Sequence, residues 1–300
     1  MVLGIKPTVD FAFKRIFGTR ENTLALVGLT NAVLAPDERI VEVEILNPFN
    51  SQEFAEQKVI VLDIRARDEA GRWLNIEMQV DIVAGLKERL AYYACSLYTE
   101  QLAQGEKYCR LRPAISICFL GSVLFGGVLT AHHRFRLADL DEGRLLTEAL
   151  EVHTVELTKY NLDEATVARA SAIEQWAFFL LCAHRYETSR LRELLPGEAF
   201  ARAIDAAEAI RRKTEDRIMY DQREKALRDY EWRIEGARRE GIEKGIEKGR
   251  EQGELIGKIT LLRQLLGEAD TSKEELYEAS IPELSSMVDQ LQERLRSRGL

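Results

Sequence analysis

The chain has 300 residues, 46% hydrophobic and 31% charged, with 42 Lys and Arg against 50 Asp and Glu for a net charge of −8. That length supports a sizeable core, in one large domain or in one domain with a smaller companion. The acidic balance excludes a generally basic nucleic-acid coat, so any grip on phosphates must come from a local patch or a bound metal.

The start, MVLGIKPTVDFAFKRIFG, has no long apolar run and no small-residue cleavage site, so no secretory signal is expected. Val9, Phe13, Ile16 and Phe17 fall near helical spacing, with Gly18 suited to a C-terminal cap. ENTLALVGLTNAVLA predicts a second helix, which Pro36 helps to stop. RIVEVEIL, 39–46, alternates and predicts a strand, and NPFNS then turns the chain. KVIVLDIRARD and RWLNIEMQV predict two more strands, joined as a hairpin around DEAG. GLKERLAYYACSLYTEQLAQG carries Leu86, Leu90, Tyr93, Leu97 and Leu102 at core spacing and predicts a helix ending at Gly105. AISICFL reads as a buried central strand. The apolar run around it, 114–129, holds three glycines and is too short to span a membrane.

HHRFRLADL and LEVHTVELTKY predict two further strands, and everything from Asp163 onward reads helical. Glycine recurs at 241, 245, 249, 253 and 257 among Glu, Lys and Arg. Each glycine weakens a helix by about 1 kcal/mol, while Glu/Lys pairs four apart restore a few tenths. This segment is either a solvated charged linker or a seam for self-association. The last part predicts a small helical hairpin, with Ser272 and Glu275 capping one helix and Ile281-Pro282 opening the last. The four cysteines form no Cys-x-x-Cys pair, which disfavours zinc and redox chemistry and predicts free, buried thiols in a reducing cytoplasm. His132, His133, His153 and His184 show no ligand spacing. The expected organisation is a mixed central sheet flanked by helices over residues 1–160, a helical extension over 161–210, the charged glycine-repeat helix or linker over 211–257, and the hairpin over 258–300.

Two acids interrupt the hairpin strands. Alternation puts Ile60, Leu62, Ile64 and Ala66 of one strand, and Leu74, Ile76, Met78 and Val80 of the next, on the core face. Asp63, Glu77 and Gln79 then share the other face. If Arg67 pairs with Trp73, Asp63 lies directly across from Glu77, with Cβ atoms about 4.5–5.5 Å apart. Two like charges at that separation suit a hard divalent cation, which Mg²⁺ satisfies with one or two carboxylates, waters and phosphate oxygens. Such a cation polarises a phosphodiester and activates water, and Gln79 could orient the shell by hydrogen bonds. The alternative is a solvent-exposed strand face whose acids pair with Arg65, Arg67 or Arg72.

Asp followed by Glu-x-Gln across a β-hairpin, preceded by helices and followed by helix and strand, resembles the PD-(D/E)XK nuclease superfamily. More closely, TVDFAFKRIFG, VLDIRARDEAGRWLNIEMQ, RLAYYACSLYTEQLAQGEKY with RPAISICFL, and VHTVELTKY are similar to the recombination-promoting nuclease/transposase family, over roughly residues 6–160. The resemblance implies a restriction-endonuclease-like core. It implies Asp63 and Glu77 as ligands of Mg²⁺, with Mn²⁺ as a substitute, and Gln79 in the position that many relatives give to lysine. The superfamily proline before the aspartate is Leu62 here.

Around that core, Asp10 is placed on the first helix away from Phe13 and Phe17, where it could approach the metal. Lys14 and Arg15 could meet phosphates. Arg89, beside Tyr92 and Tyr93, could clamp a phosphate in bidentate fashion. The leading expectation is a Mg²⁺-dependent DNA endonuclease in the cytoplasm that helps to mobilise or recombine DNA. It would act as a homo-oligomer, assembled through the C-terminal helical region. The rivals are a binding or assembly protein on an inactive nuclease scaffold, and an accessory to another recombinase.

Overall fold

The computed structural model describes residues 1–35, 39–48, 64–268 and 273–297. Asp63, Pro36 and Ser272, and the expectations resting on them, lie outside these residues. The described chain forms two compact units, 1–226 and 227–300.

The first unit is built on a six-stranded mixed sheet in the order β1-β2-β3-β4-β6-β5. The strands are β1 (Val43–Ile45), β2 (Ile64–Asp68), β3 (Trp73–Gln79), β4 (Ala114–Leu120), β5 (His132–Arg136) and β6 (Leu150–Glu156). β1, β2 and β3 pair antiparallel, β3, β4 and β6 run parallel, and β5 returns antiparallel along β6. The fold is therefore the mixed sheet flanked by helices that the element order predicts.

The β2–β3 register runs from Ile64↔Ile76 to Arg67↔Trp73, as the turn dictates. Asp68 holds that turn by accepting hydrogen bonds from Arg72 N at 2.8 Å and Arg72 Nε at 2.6 Å, and Gly71 supplies the φ of +80° it requires. β4 is buried along its whole length because helices cover both faces of the sheet.

On one face lie α1 (Asp10–Phe17) and α2 (Thr23–Leu34), with the Phe13 ring 6.2 Å from that of Phe119. On the opposite face lies α3 (Leu86–Thr99), whose Leu86 and Leu90 pack on Cys118 and Leu120. This helix stops at Thr99, short of the expected Gly105. The Gln101 side chain donates to Arg112 O at 3.0 Å and accepts from Arg112 N at 2.9 Å, which turns the chain toward β4.

The helices that follow are α4 (Glu164–Val167), α5 (Ala172–Cys182), α6 (Thr188–Leu194), α7 (Glu198–Arg212) and α8 (Thr214–Leu266). Gly28 lets α2 and α7 approach closely, since a Cβ there would stand 2.5 Å from the Ala199 methyl. The start of α8 docks on the N-terminal region, where the fully buried Tyr220 hydroxyl accepts the Lys6 N–H at 2.9 Å.

The second unit contains the remainder of α8 with α9 (Lys273–Glu278) and α10 (Ile281–Ser297). Ile256, Ile259, Leu266, Leu276, Leu284, Val288 and Leu291 form its small core. Ile281 opens α10 as expected, capped by Ser280, whose N–H and Oγ donate to Glu283 at 2.8 and 2.7 Å. The repeat glycines at 241, 245, 249, 253 and 257 are helical and face open space among the described residues. All four cysteines are free, but Cys95 and Cys109 are exposed, so the expectation of buried thiols fails for these two. Cys95 lies on the solvent side of α3, and Cys109 in a short turn with no buried residue. No described helix is long and apolar enough to cross a membrane.

Candidate active site

Glu77 sits in the middle of β3 on the face that α3 covers. It is 5% exposed, because Leu86 and Leu90 close over the neighbouring strands. The solvent-exposed alternative therefore fails for this residue. Among the described residues, Arg65, Arg67 and Arg72 pair with Glu100, Glu44 and Asp68, at 2.8, 2.5 and 2.6 Å.

Arg89 comes down from α3 onto the strand. Its Nη2 lies 3.1 Å from Glu77 Oε1 and 2.5 Å from Gln79 Oε1. One positive nitrogen therefore stands where a carboxylate oxygen and a carboxamide oxygen converge. The Gln79 amide is aimed by its own Nε2, which donates to Asp81 O at 2.8 Å. The Arg89 guanidinium also stands 5.8 Å from the Tyr93 ring centre.

This donor set fits a hard divalent cation, since both groups present oxygen and both already face one cationic point. Among the described residues, no group of three or more His, Cys, Asp or Glu is arranged to hold a metal ion. Asp63, the second expected carboxylate, lies outside them.

The remaining candidates divide. Tyr92 is 67% exposed beside Tyr93 on α3, at the edge of a cleft. Lys14 is half-buried on α1. Asp10 does not occupy an outward face of that helix, because Phe13 and Phe17 stand three and seven residues on and share its side. It is mostly buried, accepts the Phe11 N–H at 2.7 Å and faces Arg223 of α8 at 4.0 Å. Burial raises its pKa, and the Phe11 N–H and Arg223 partly offset that rise.

Sequence reasoning missed two further features of this sheet. Glu156, fully buried at the end of β6, accepts the N–H groups of Leu124 and Phe125 at 2.7 Å each and pairs with Lys159. It thereby fixes the loop after β4. Burial works against its charge, but Lys159 and the two N–H groups hold its pKa below the usual value. At the far edge of the sheet, Glu151, His153 and His132 form a chain. His153 Nε2 lies 2.5 Å from Glu151 Oε1, and His132 Nε2 lies 2.7 Å from His153 Nδ1. The alternation of β6 signals Glu151 and His153 on one face, but the position of His132 follows only from the β5–β6 register.

The family model described as PD-(D/E)XK nuclease family transposase matches residues 7–237. The chain belongs to this family. The match covers the whole sheet, both layers of helices and the strand that carries Glu77 and Gln79. No curated protein and no solved structure matches the chain. Family membership makes a nuclease-type core the setting in which Glu77, Gln79 and Arg89 meet.

Proposed function

We propose that this protein is a Mg²⁺-dependent DNA endonuclease, with Mn²⁺ as a substitute ion, which hydrolyses phosphodiesters in recombination or transposition. The supporting observation is the convergence of Glu77 and Gln79 on one cationic point, on a covered strand of a PD-(D/E)XK core. In this reading Asp63 and Glu77 hold the ion and Gln79 orients its shell by hydrogen bonds. Arg89 leaves the carboxylate for a phosphate oxygen as the ion and DNA arrive. Lys14 adds a further phosphate contact. When bound, the divalent ion supplies Lewis-acid charge at the phosphoryl group and lowers the pKa of the attacking water.

The test is nicking of supercoiled plasmid. Wild type nicks with Mg²⁺ and not with chelator. Asp63→Ala and Glu77→Ala each lose more than the roughly 10–100-fold that changes behind a metal ligand cost. Nicking that survives both substitutions rejects the site.

A second reading is a weak or inactive nuclease scaffold that acts in assembly. It is favoured by the uncharged Gln79 in the lysine position and by an Arg already on Glu77. Self-association in either reading would use the helix carrying Ile242 and Ile246, which are 55% and 68% exposed beside the open glycines.

A further inference from the structure

Asn75 lies two residues before Glu77 on the same face of β3, about 6.7 Å along the strand. It is 3% exposed, yet neither its Oδ1 nor its Nδ2 hydrogen-bonds any described group. A buried polar group left in that state is costly, so an unused pair of this kind calls for an explanation. Its register partner on β4, Ser116, is fully buried, and its hydroxyl is likewise unsatisfied among the described residues. Two adjacent strands thus present unused hydrogen-bonding groups to the same side.

A cleft of about 180 Å³ opens there, lined by Asn75 with Arg65, Tyr92, Tyr93, Ser96 and Glu100 among others. It is smaller than the roughly 300–1,000 Å³ of sites for drug-sized ligands. Arg65, opposite Asn75 on β2, pairs with Glu100 at 2.8 Å, so the lining is close to charge-neutral and is a poor receptor for a phosphate. The two tyrosine rings lie 6.2 Å apart and tilted, and Tyr92 leaves much of its ring open. A small, neutral occupant with a donor beside an acceptor and a π-face meets all of these conditions.

We propose that this cleft is a base subsite. It takes one unpaired nucleobase from the strand whose neighbouring phosphodiester lies at Glu77, with Asn75 bonding to the base edge and Tyr92 stacking on its face. Its place beside the scissile bond rests on the nuclease reading. The amide donates through Nδ2 and accepts through Oδ1; on the N7 edge, the edge proposed to face Asn75, adenine returns this pattern with N7 beside the N6 amino group, whereas guanine presents two acceptors. A base inside a duplex is closed to such a cleft, so the substrate is single-stranded or opened at this point.

The test is fluorescence anisotropy with labelled single-stranded oligo(dA), oligo(dG), oligo(dC) and oligo(dT), with Ca²⁺ in place of Mg²⁺, alongside plasmid nicking. Wild type should favour oligo(dA) over oligo(dG) by about 5- to 150-fold. Asn75→Ala should abolish that preference while melting no lower than wild type, since it removes an unsatisfied amide. Tyr92→Ala, at an exposed position, should weaken all four homopolymers. Equal binding of all four by wild type, or a preference that survives Asn75→Ala, overturns the proposal. The two readings separate cleanly. A protein that prefers oligo(dA) through Asn75 but nicks nothing keeps the subsite and loses the nuclease. A protein that nicks through Glu77 without base preference does the reverse.

Discussion

Arg89 reaches both Glu77 and Gln79 from α3, at the place proposed for the cation. Its guanidinium neutralises a carboxylate that is 5% exposed, and removing one partner of a buried ion pair leaves the other charge stranded. Arg89 itself keeps about a third of its side chain in solvent, so the loss should be smaller than for a fully buried pair. Arg89→Met should cost about 1–3 kcal/mol without metal. If a divalent ion takes over the same oxygens, as proposed, Mg²⁺ should raise the melting temperature more in the variant than in wild type. Thermal melts with and without Mg²⁺ measure this, and an equal response in both proteins would show that guanidinium and cation do not share one place. Glu77 and Gln79 were legible in the sequence because a two-residue period fixes their face. Arg89 was legible only as a basic residue on a helix. Its contact with both depends on how α3 docks on the sheet, which no local pattern encodes.

Elements differ in how much of their setting is local. The β2–β3 register could be derived from alternation and a short turn, and the β4 core strand from its unbroken apolar run. The end of α3 could not, because Gln101 reaches a residue eleven positions away. The environment of Asp10 could not, because Arg223 is far along the chain.

The β5–β6 edge carries a consequence for stability. Burial, then the neighbouring His153 and His133, push the His132 pKa from 6.5 down to about 4, against the opposing pull of Glu151. Arg134 and Arg136 also bind Glu151, at 2.7 and 2.5 Å, which limits that pull. A folded-state pKa below the unfolded value means that the unfolded chain binds the proton first. His132 therefore contributes stability above pH 6.5 that is lost as the pH falls toward about 4. Denaturant unfolding across this range should show a shallower decline in His132→Asn than in wild type. Parallel declines would contradict the assignment.

At the scale of the whole molecule, the match over residues 7–237 takes in the sheet, its covering helices and the beginning of α8. The net charge of −8 does not prevent DNA binding if cations are concentrated at one site, and a bound divalent ion with Arg89 beside it would be such a concentration. The helical second unit was legible as a hairpin whose last helix opens at Ile281, but the Ser280–Glu283 cap and the core of Ile, Leu and Val residues became visible only in the folded chain. The role of the glycine repeat was not legible, because an open stripe on a helix acquires meaning only from what meets it.

Calorimetric titration of the full chain with Mn²⁺ decides whether Glu77 belongs to a divalent-cation site. Wild type should bind saturably at or below millimolar Mn²⁺, about the range of the weaker oxygen-ligand sites, and Glu77→Gln should lose that binding. Equal binding by both proteins, or none by wild type, would contradict such a site.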